Sequence, residues 1–443
     1  MRRPPRGLLL FLLGIAAAAS VSASVGACNA RPVSPLPDDD ASAAGDADAA
    51  PPPPPVELGR HAVAVITTRK IVPSAGLPAH APLLNSNNNL DVVRFDGRVW
   101  LVWRTAPDHF ASAKTVMVVA SSTDELTWKL EKTFAAGTDL REPRFLVLNG
   151  ALFLYLSRLG TDPIKFEPQG VAYSKRSADG TWPDLSPVLR IADAGDAGPP
   201  EPMSGYITWR TKIERGTPTM TAYLGGEHIY RFDGLPLAVE LLTTSDGITW
   251  QGLTPGKPVV SRGGGSESDY TIGDDGSLFA VIRNEAGDAT GFGSKVCHAS
   301  ANDLTAWTCK SDPKKYDSPL VFWRDGEAYL VGRRNLTTTG NYDLGTRDPN
   351  LQQSAIAFQL AYKTPKKRCS LWRYVQGEDR IAYILDLPSR GDTCFAARVD
   401  TSNPDELAIY DYSSDVDGPD VSWTEGQGGP TFVYRHTVRF TRR

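Results

Sequence analysis

Between Asn88 and Ser414 the chain alternates short apolar runs with tight polar turns. Four segments share one layout: "LDVVRFDGRVWLVWR" ending at Arg104, "EPRFLVLNGALFLYLSR" at Arg158, "SDYTIGDDGSLFAVIR" at Arg283 and "SPLVFWRDGEAYLVGR" at Arg333. Each reads as an alternating or near-continuous apolar strand, an Asp-Gly or Asn-Gly pair, and a second such strand. Those dipeptides tolerate the positive φ angles of a two-residue hairpin turn. Two looser copies, around Tyr223 and around Tyr412, bring the number of hairpins to six.

A second signal runs in step with the first. "STDELTW" ends at Trp128, "SADGTW" at Trp182, "SDGITW" at Trp250 and "SANDLTAW" at Trp307, and the first, second and fourth tryptophans each follow a hairpin arginine by 24 positions. Ser and Asp side chains hydrogen-bond nearby backbone in turns, and the tryptophan packs between sheets, so the motif reads as the outer hairpin of a blade. Repeats of about 50–65 residues, each with material for four antiparallel strands, predict an all-β, six-bladed β-propeller. Either "HAVAVITT" or the C-terminal "FVYRHTVRF" completes a blade by closure, and helical signals are nearly absent.

The termini change the picture of domain organisation. Arg2, Arg3 and Arg6 precede "GLLLFLLGIAAAA", an apolar core of signal-peptide length, and "VGAC" resembles the lipobox of bacterial lipoproteins, with Cys28 as the lipidated residue. The alternative is ordinary cleavage, with Cys28 a spare thiol. Residues 28–56 are rich in Pro, Ala and Asp and carry five consecutive prolines, the composition of an extended tether. The expected organisation is a signal peptide over 1–27, a tether over 28–56 and a propeller over 57–443, exported to the cell envelope and touching the membrane only through its lipid. The formal charge of −4 and the lack of a basic run interleaved with aromatics argue against nucleic acid as a partner. A monomer without cofactor or metal is expected; the acidic turn Ser414–Asp420 reads as a solvated loop. Four cysteines remain, and the expected pairs in an oxidising compartment are Cys297–Cys309, across one hairpin, and Cys369–Cys394.

The "S-x-D-G-x-T-W" turns resemble the Asp-boxes of sialidases, whose catalytic domain is a six-bladed propeller. "SESDYTIGDDGSLFAVIRN" is similar to the stretch of that family in which a glutamate opens an inner strand and an arginine closes the next, here Glu267 and Arg283. "LREPRF" and "LPSRGDTCFAARV" resemble a bacterial branch of sialidase-like propellers. The resemblance implies an exo-glycosidase with a tyrosine nucleophile, because a carboxylate nucleophile would repel a substrate bearing its own carboxylate at the reacting carbon. By position the tyrosine is Tyr412, with Glu267 as its base and Tyr410 as its competitor. The family's early aromatic-Arg-Ile/Val-Pro motif has no match here; the chain offers "TRKIVPSAG".

Strand-end residues of a propeller converge on its axis. Arg104, Arg283 and Arg333, which close second strands, are the candidate carboxylate-binding cluster for an acidic sugar. The alternative is that each pairs with an acid of the next blade; Arg158 and Arg334 read as outward-facing. Asp91, opening the first inner strand, is the preferred acid. Asp108 and His109 follow Arg104, Glu142 and Asp392 stand at strand entrances, and Arg141 and Trp209 are candidate pocket residues. Two other readings stay open: a carboxylate pair, Asp91 with Glu142 or Glu267, acting on a neutral sugar such as arabinose, and a non-catalytic surface protein binding glycan or protein.

Overall fold

The structure, a computed structural model, describes residues 51–191, 199–343, 345 and 351–443. The signal peptide, Cys28 and most of the tether lie outside the described residues. The chain divides into two units, 1–52 and 53–443. Within the second, Glu57 is already tied to the folded body by Arg373 at 2.9 Å and Arg380 at 2.7 Å.

The repeated hairpins form antiparallel sheets. Five are four-stranded: those starting with the inner strands Ser86–Phe95, Asp139–Leu148, Gly265–Ile272, Asp317–Arg324 and Ala397–Asp400. The last is closed by both candidate segments at once, because His61–Val72 pairs with Phe432–Arg442 along its length. Joining first to last strand in one sheet removes an open edge and locks the ring. The expectation of six equivalent four-stranded blades is corrected to five. The stretch from Leu189 to Gly263 builds a seven-stranded sheet on the inner strand Ile207–Glu214, in which Thr249–Gly252 and Val259–Gly263 both pair with Leu237–Thr243.

Apolar clusters lie between successive sheets. Trp100 and Val102 meet Phe145 and Leu154; Tyr155 meets Met220 and Leu242; Leu241 meets Tyr270 and Ile282. Val281 meets Val321 and Leu330, Val331 meets Leu407 and Val438, and Leu90 and Trp103 meet Tyr410 and Val433 to close the circuit. Stability thus comes from sheet-on-sheet burial. The Ser-Asp turns behave as read: Asp124 Oδ1 accepts the backbone N–H groups of Leu126 and Thr127, both at 2.8 Å, and Asp246 does the same for Ile248 and Thr249. Trp128, Trp182 and Trp250 are buried behind their turns.

Both expected disulfides are present, Cys297–Cys309 and Cys369–Cys394. Among the described residues two α-helices depart from the all-β expectation: α1 (Leu351–Lys363), inserted between the second and third strands of its sheet, and α2 (Trp423–Gly428). Ser422 and Glu425 form a reciprocal capping box at the start of α2, which fixes the position of Trp423.

Candidate functional site

One backbone device recurs at the start of the inner strands. Their pairing slips between Asn88 and Leu90, Arg141 and Arg144, Thr208 and Arg210, Gly265 and Ser268, and Asp317 and Leu320. Asn89, Glu142 and Ser318 take positive φ angles of 37°, 50° and 56° within these bulges, and Cys394 takes 81° before Ala397–Asp400. A bulge re-aims a side chain, and left-handed non-glycine residues persist only where their surroundings hold them. Glu142 and Glu267 both occupy such bulges.

The arginines do not act as a free cluster. Arg104 is fully buried, bonds Asp139 at 2.8 and 3.1 Å and donates to the carbonyls of Asp108 and Phe110. Arg141 binds the other oxygen of Asp139 at 2.5 Å. Arg283 faces three carboxylates: Glu267 at 2.5 Å, Glu285 at 2.8 Å and Asp317 at 3.1 Å. Arg333 donates to the carbonyl of Thr393 at 2.6 Å and lies 3.6 Å from Asp317. Arg104 and Arg283 thus each reach an aspartate that opens the next blade. The expected carboxylate-gripping triad is corrected to a set of inter-blade ties. Arg158 is exposed, while Arg334 is buried and bonds Asp386.

The tyrosine–glutamate pair is also corrected. The Tyr412 hydroxyl donates to Asp392 at 3.0 Å, whereas Glu267 accepts from Arg283 and, at 2.7 Å, from the Ser318 N–H. Burial, then the charge of Asp392, raises the Tyr412 hydroxyl well above the usual tyrosine range. Tyr410 donates to Glu125. Asp91 is a tie as well: its Oδ2 accepts the Phe145 N–H at 2.7 Å, as Asp269 accepts that of Val321 at 2.6 Å. Trp209 fills the axis instead of lining a pocket, donating to the Pro319 carbonyl and meeting Phe395 and Arg144 at 5.0 Å. Asp392 is fully buried and bonds the partly exposed His109 at 2.7 Å.

Glu142 and Glu267, both in bulges at the strand starts, lie near enough for the charge of one to act on the other. Burial pushes the Glu142 carboxyl up to about 7, with the charge of Glu267 adding to it. Burial raises Glu267 too, against the pull of Arg283. Both Glu267 oxygens already accept hydrogen bonds, whereas Glu142 Oε2 has no partner among the described residues. The hydrogen bonds on Glu267 favour its charged form, so Glu142 is the carboxyl of the two that more readily holds a proton. Several neighbours were not singled out from sequence. Glu285 accepts from Tyr230 and Ser266, both at 2.7 Å. Tyr362 of α1 donates to Asp317 at 2.6 Å. Lys315 is buried against the rings of Tyr342 and Tyr362 with no hydrogen-bond partner on Nζ among the described residues, and burial lowers it to about 8. Beside Tyr230 lies a cavity of about 150 Å³ walled by Ile229, Phe232, Leu235, Ala286 and Ala355. At the far ends of the inner strands, a separate cavity of about 360 Å³ is lined by Asp91, Arg144, Lys212 and Arg398.

The fold is a β-propeller, and sialidases are among the solved structures it is similar to. A protein of unknown function from Dyadobacter fermentans superposes over 86% of this chain and 99% of its own, with a TM-score of 0.57 and 12% identity. The endosialidase of phage phi92 matches over 87% of this chain and 70% of its own, with a TM-score of 0.51 and 13% identity. Trypanosoma rangeli sialidase in complex with the inhibitor DANA matches over 80% of this chain, with a TM-score of 0.50 and 14% identity; the present chain spans 55% of that one. No protein-family model and no curated protein matches the sequence.

Proposed function

We propose that this protein is a propeller glycosidase acting on neutral sugars, with Glu142 as the proton donor and Glu267 as its charged partner. The observation that carries the reading is the contrast between the two: a carboxyl with one oxygen unpartnered among the described residues, held up to about 7, and one anchored by an arginine and a backbone N–H. Glycoside hydrolysis asks for that division, since one carboxyl must protonate the leaving oxygen while the other faces the developing positive charge. The neutral substrate follows from the arginines: each of Arg104, Arg141 and Arg283 is committed to carboxylates, and Arg333 to backbone carbonyls and Asp317. We read the seven-stranded sheet as the sixth blade of the ring. A lipid at Cys28 and a tether would hold the protein, as a monomer, at the cell envelope.

The test is a panel of fluorogenic glycosides offered to the full chain, with neutral, uronic and sialic sugars side by side. Neutral glycosides are expected to turn over, with activity falling as pH rises past about 7 and Glu142 loses its proton. Glu142→Gln and Glu267→Gln should each lose about 10²–10⁴-fold. Turnover confined to sialosides, or full activity in either variant, would reject the reading.

A further inference from the structure

His109 is held more firmly than a loop residue needs to be. Its N–H donates to the Gln427 carbonyl at 3.2 Å and its carbonyl accepts Arg141 Nη2 at 2.6 Å, so two separate segments fix its main chain. Its ring Nδ1 lies 2.7 Å from Asp392 Oδ2. The other oxygen of Asp392 accepts the Tyr412 hydroxyl at 3.0 Å and the Trp423 indole at 3.1 Å. Trp423 in turn meets the Tyr362 ring at 5.3 Å and lies under the Arg333 guanidinium at 5.1 Å. Helix α2, α1 and two sheets therefore converge on a carboxylate that never touches solvent.

That investment determines which nitrogen of His109 carries the proton. Against burial, the hydrogen bonds that His109 and Tyr412 donate and the charge of Arg333 favour the ionised form of the Asp392 carboxyl. An ionised carboxylate only accepts, so Nδ1 must donate. Burial pushes the imidazole down, and Arg141 and Arg104 add to this against the pull of Asp392, so the ring is neutral at pH 7. With its one proton on Nδ1, Nε2 keeps a lone pair. Among the described residues no hydrogen bond to Nε2 occurs, and the side chain is 18% exposed beside Arg141, which directly precedes Glu142.

We propose that His109 is a specificity residue of the glycan site: Asp392 locks it as an acceptor, and Nε2 takes a hydrogen bond from a hydroxyl of the bound neutral sugar. Asp392 is then a positioning residue, acting only through the imidazole. The nature of the ligand rests on the proposed function; the locked acceptor does not. A hydroxyl that reaches Nε2 is recognised because its absence leaves a fixed, partly buried acceptor unpaired.

The experiment uses the full chain with ¹⁵N-labelled histidine, and the six histidines are assigned with the help of a His109→Asn variant. At pH 7 the long-range ¹H–¹⁵N spectrum should show His109 Nε2 without a proton, and saturating L-arabinose or D-galactose should move that signal. A protonated Nε2, or a signal that neither sugar moves, overturns the proposal. Two substitutions then separate support from recognition. Asn keeps a donor toward Asp392 but has no acceptor at the ε position; Gln keeps an acceptor there and loses the Asp392 bond. His109→Asn should melt as the wild type does yet raise KM about tenfold, while His109→Gln should be destabilised but bind better than the Asn variant. Full KM rescue by Asn would mean that the histidine is purely structural. Should Glu142→Gln and Glu267→Gln both stay active, the hydrolytic reading falls while the spectroscopic result still decides this one.

Discussion

Asp91 and Glu142 are both carboxylic acids near the start of an inner strand, in adjacent blades, and burial raises both. Asp91 lies past its bulge, in regular register, and spends its Oδ2 on the Phe145 N–H of the neighbouring blade. Glu142 lies inside its bulge at φ 50°, with an oxygen that no described residue satisfies. The difference teaches that a raised carboxyl does not by itself mark chemistry. A buried acid that ties two sheets together and a buried acid that waits for a ligand titrate in the same direction, and only the fate of their lone pairs separates them.

The sharpest way to break this contrast is to remove the cation on which it rests. Arg283→Met leaves Glu267, Glu285 and Asp317 buried without their common partner, and unfolding in urea at pH 7 should show a loss of about 3–5 kcal/mol. A loss under about 1 kcal/mol would mean that Glu267 is not anchored as described, and Glu142 would have no charged neighbour to hold its proton. Next in size is Asp91→Ala. The Phe145 N–H loses its acceptor, for about 1–3 kcal/mol, while turnover per folded molecule stays unchanged. Asp91→Asn keeps an acceptor and should recover most of that stability. It should compare best with the wild type at high pH: the folded carboxyl titrates above its unfolded value, so the stability that Asp91 contributes is lost as pH rises through the folded value. A hundredfold drop in turnover for either variant would return Asp91 to the chemistry.

Most of the fold was legible because it is periodic. Asp-Gly and Asn-Gly pairs at fixed offsets from Ser-Asp turns imply hairpins in series; Cys297–Cys309 follows from the hairpin layout, while Cys369–Cys394 was the remaining pair. The irregular sheet escaped because Leu189–Arg190 and Glu201–Pro202 are two-residue strands with no pattern to read. Helix α1 escaped although "LQQSAIAFQLAYK" is rich in helix formers, because a search for repeats passes over insertions. Within the site, sequence picked Glu142, Asp392 and His109 by their places at strand ends, and Glu267 by resemblance, without their partners. The signal for Glu142 was present: Pro143 and Pro319 stand inside strands, where a missing N–H is tolerated at bulges. The arginines misled because their recurrence was real while their partners, Asp139 and Asp317, sit about 35 positions downstream and meet them only in the closed ring.

The smallest expected effect discriminates between mechanisms most cleanly. Tyr412→Phe removes one of the two donors to Asp392 Oδ1 and leaves the Trp423 indole and the His109 ring in place. The cost to stability should be about 0.5–1.5 kcal/mol, and turnover of a neutral glycoside should fall less than about tenfold, since His109 keeps its tautomer through the remaining oxygen. A tyrosine nucleophile cannot lose its hydroxyl so cheaply: the covalent route would vanish with the oxygen that forms the bond. Single-turnover rates for the two proteins at the same pH therefore decide the matter. A drop beyond about a thousandfold would put Tyr412 at the reacting carbon and make Asp392, rather than Glu267, its base.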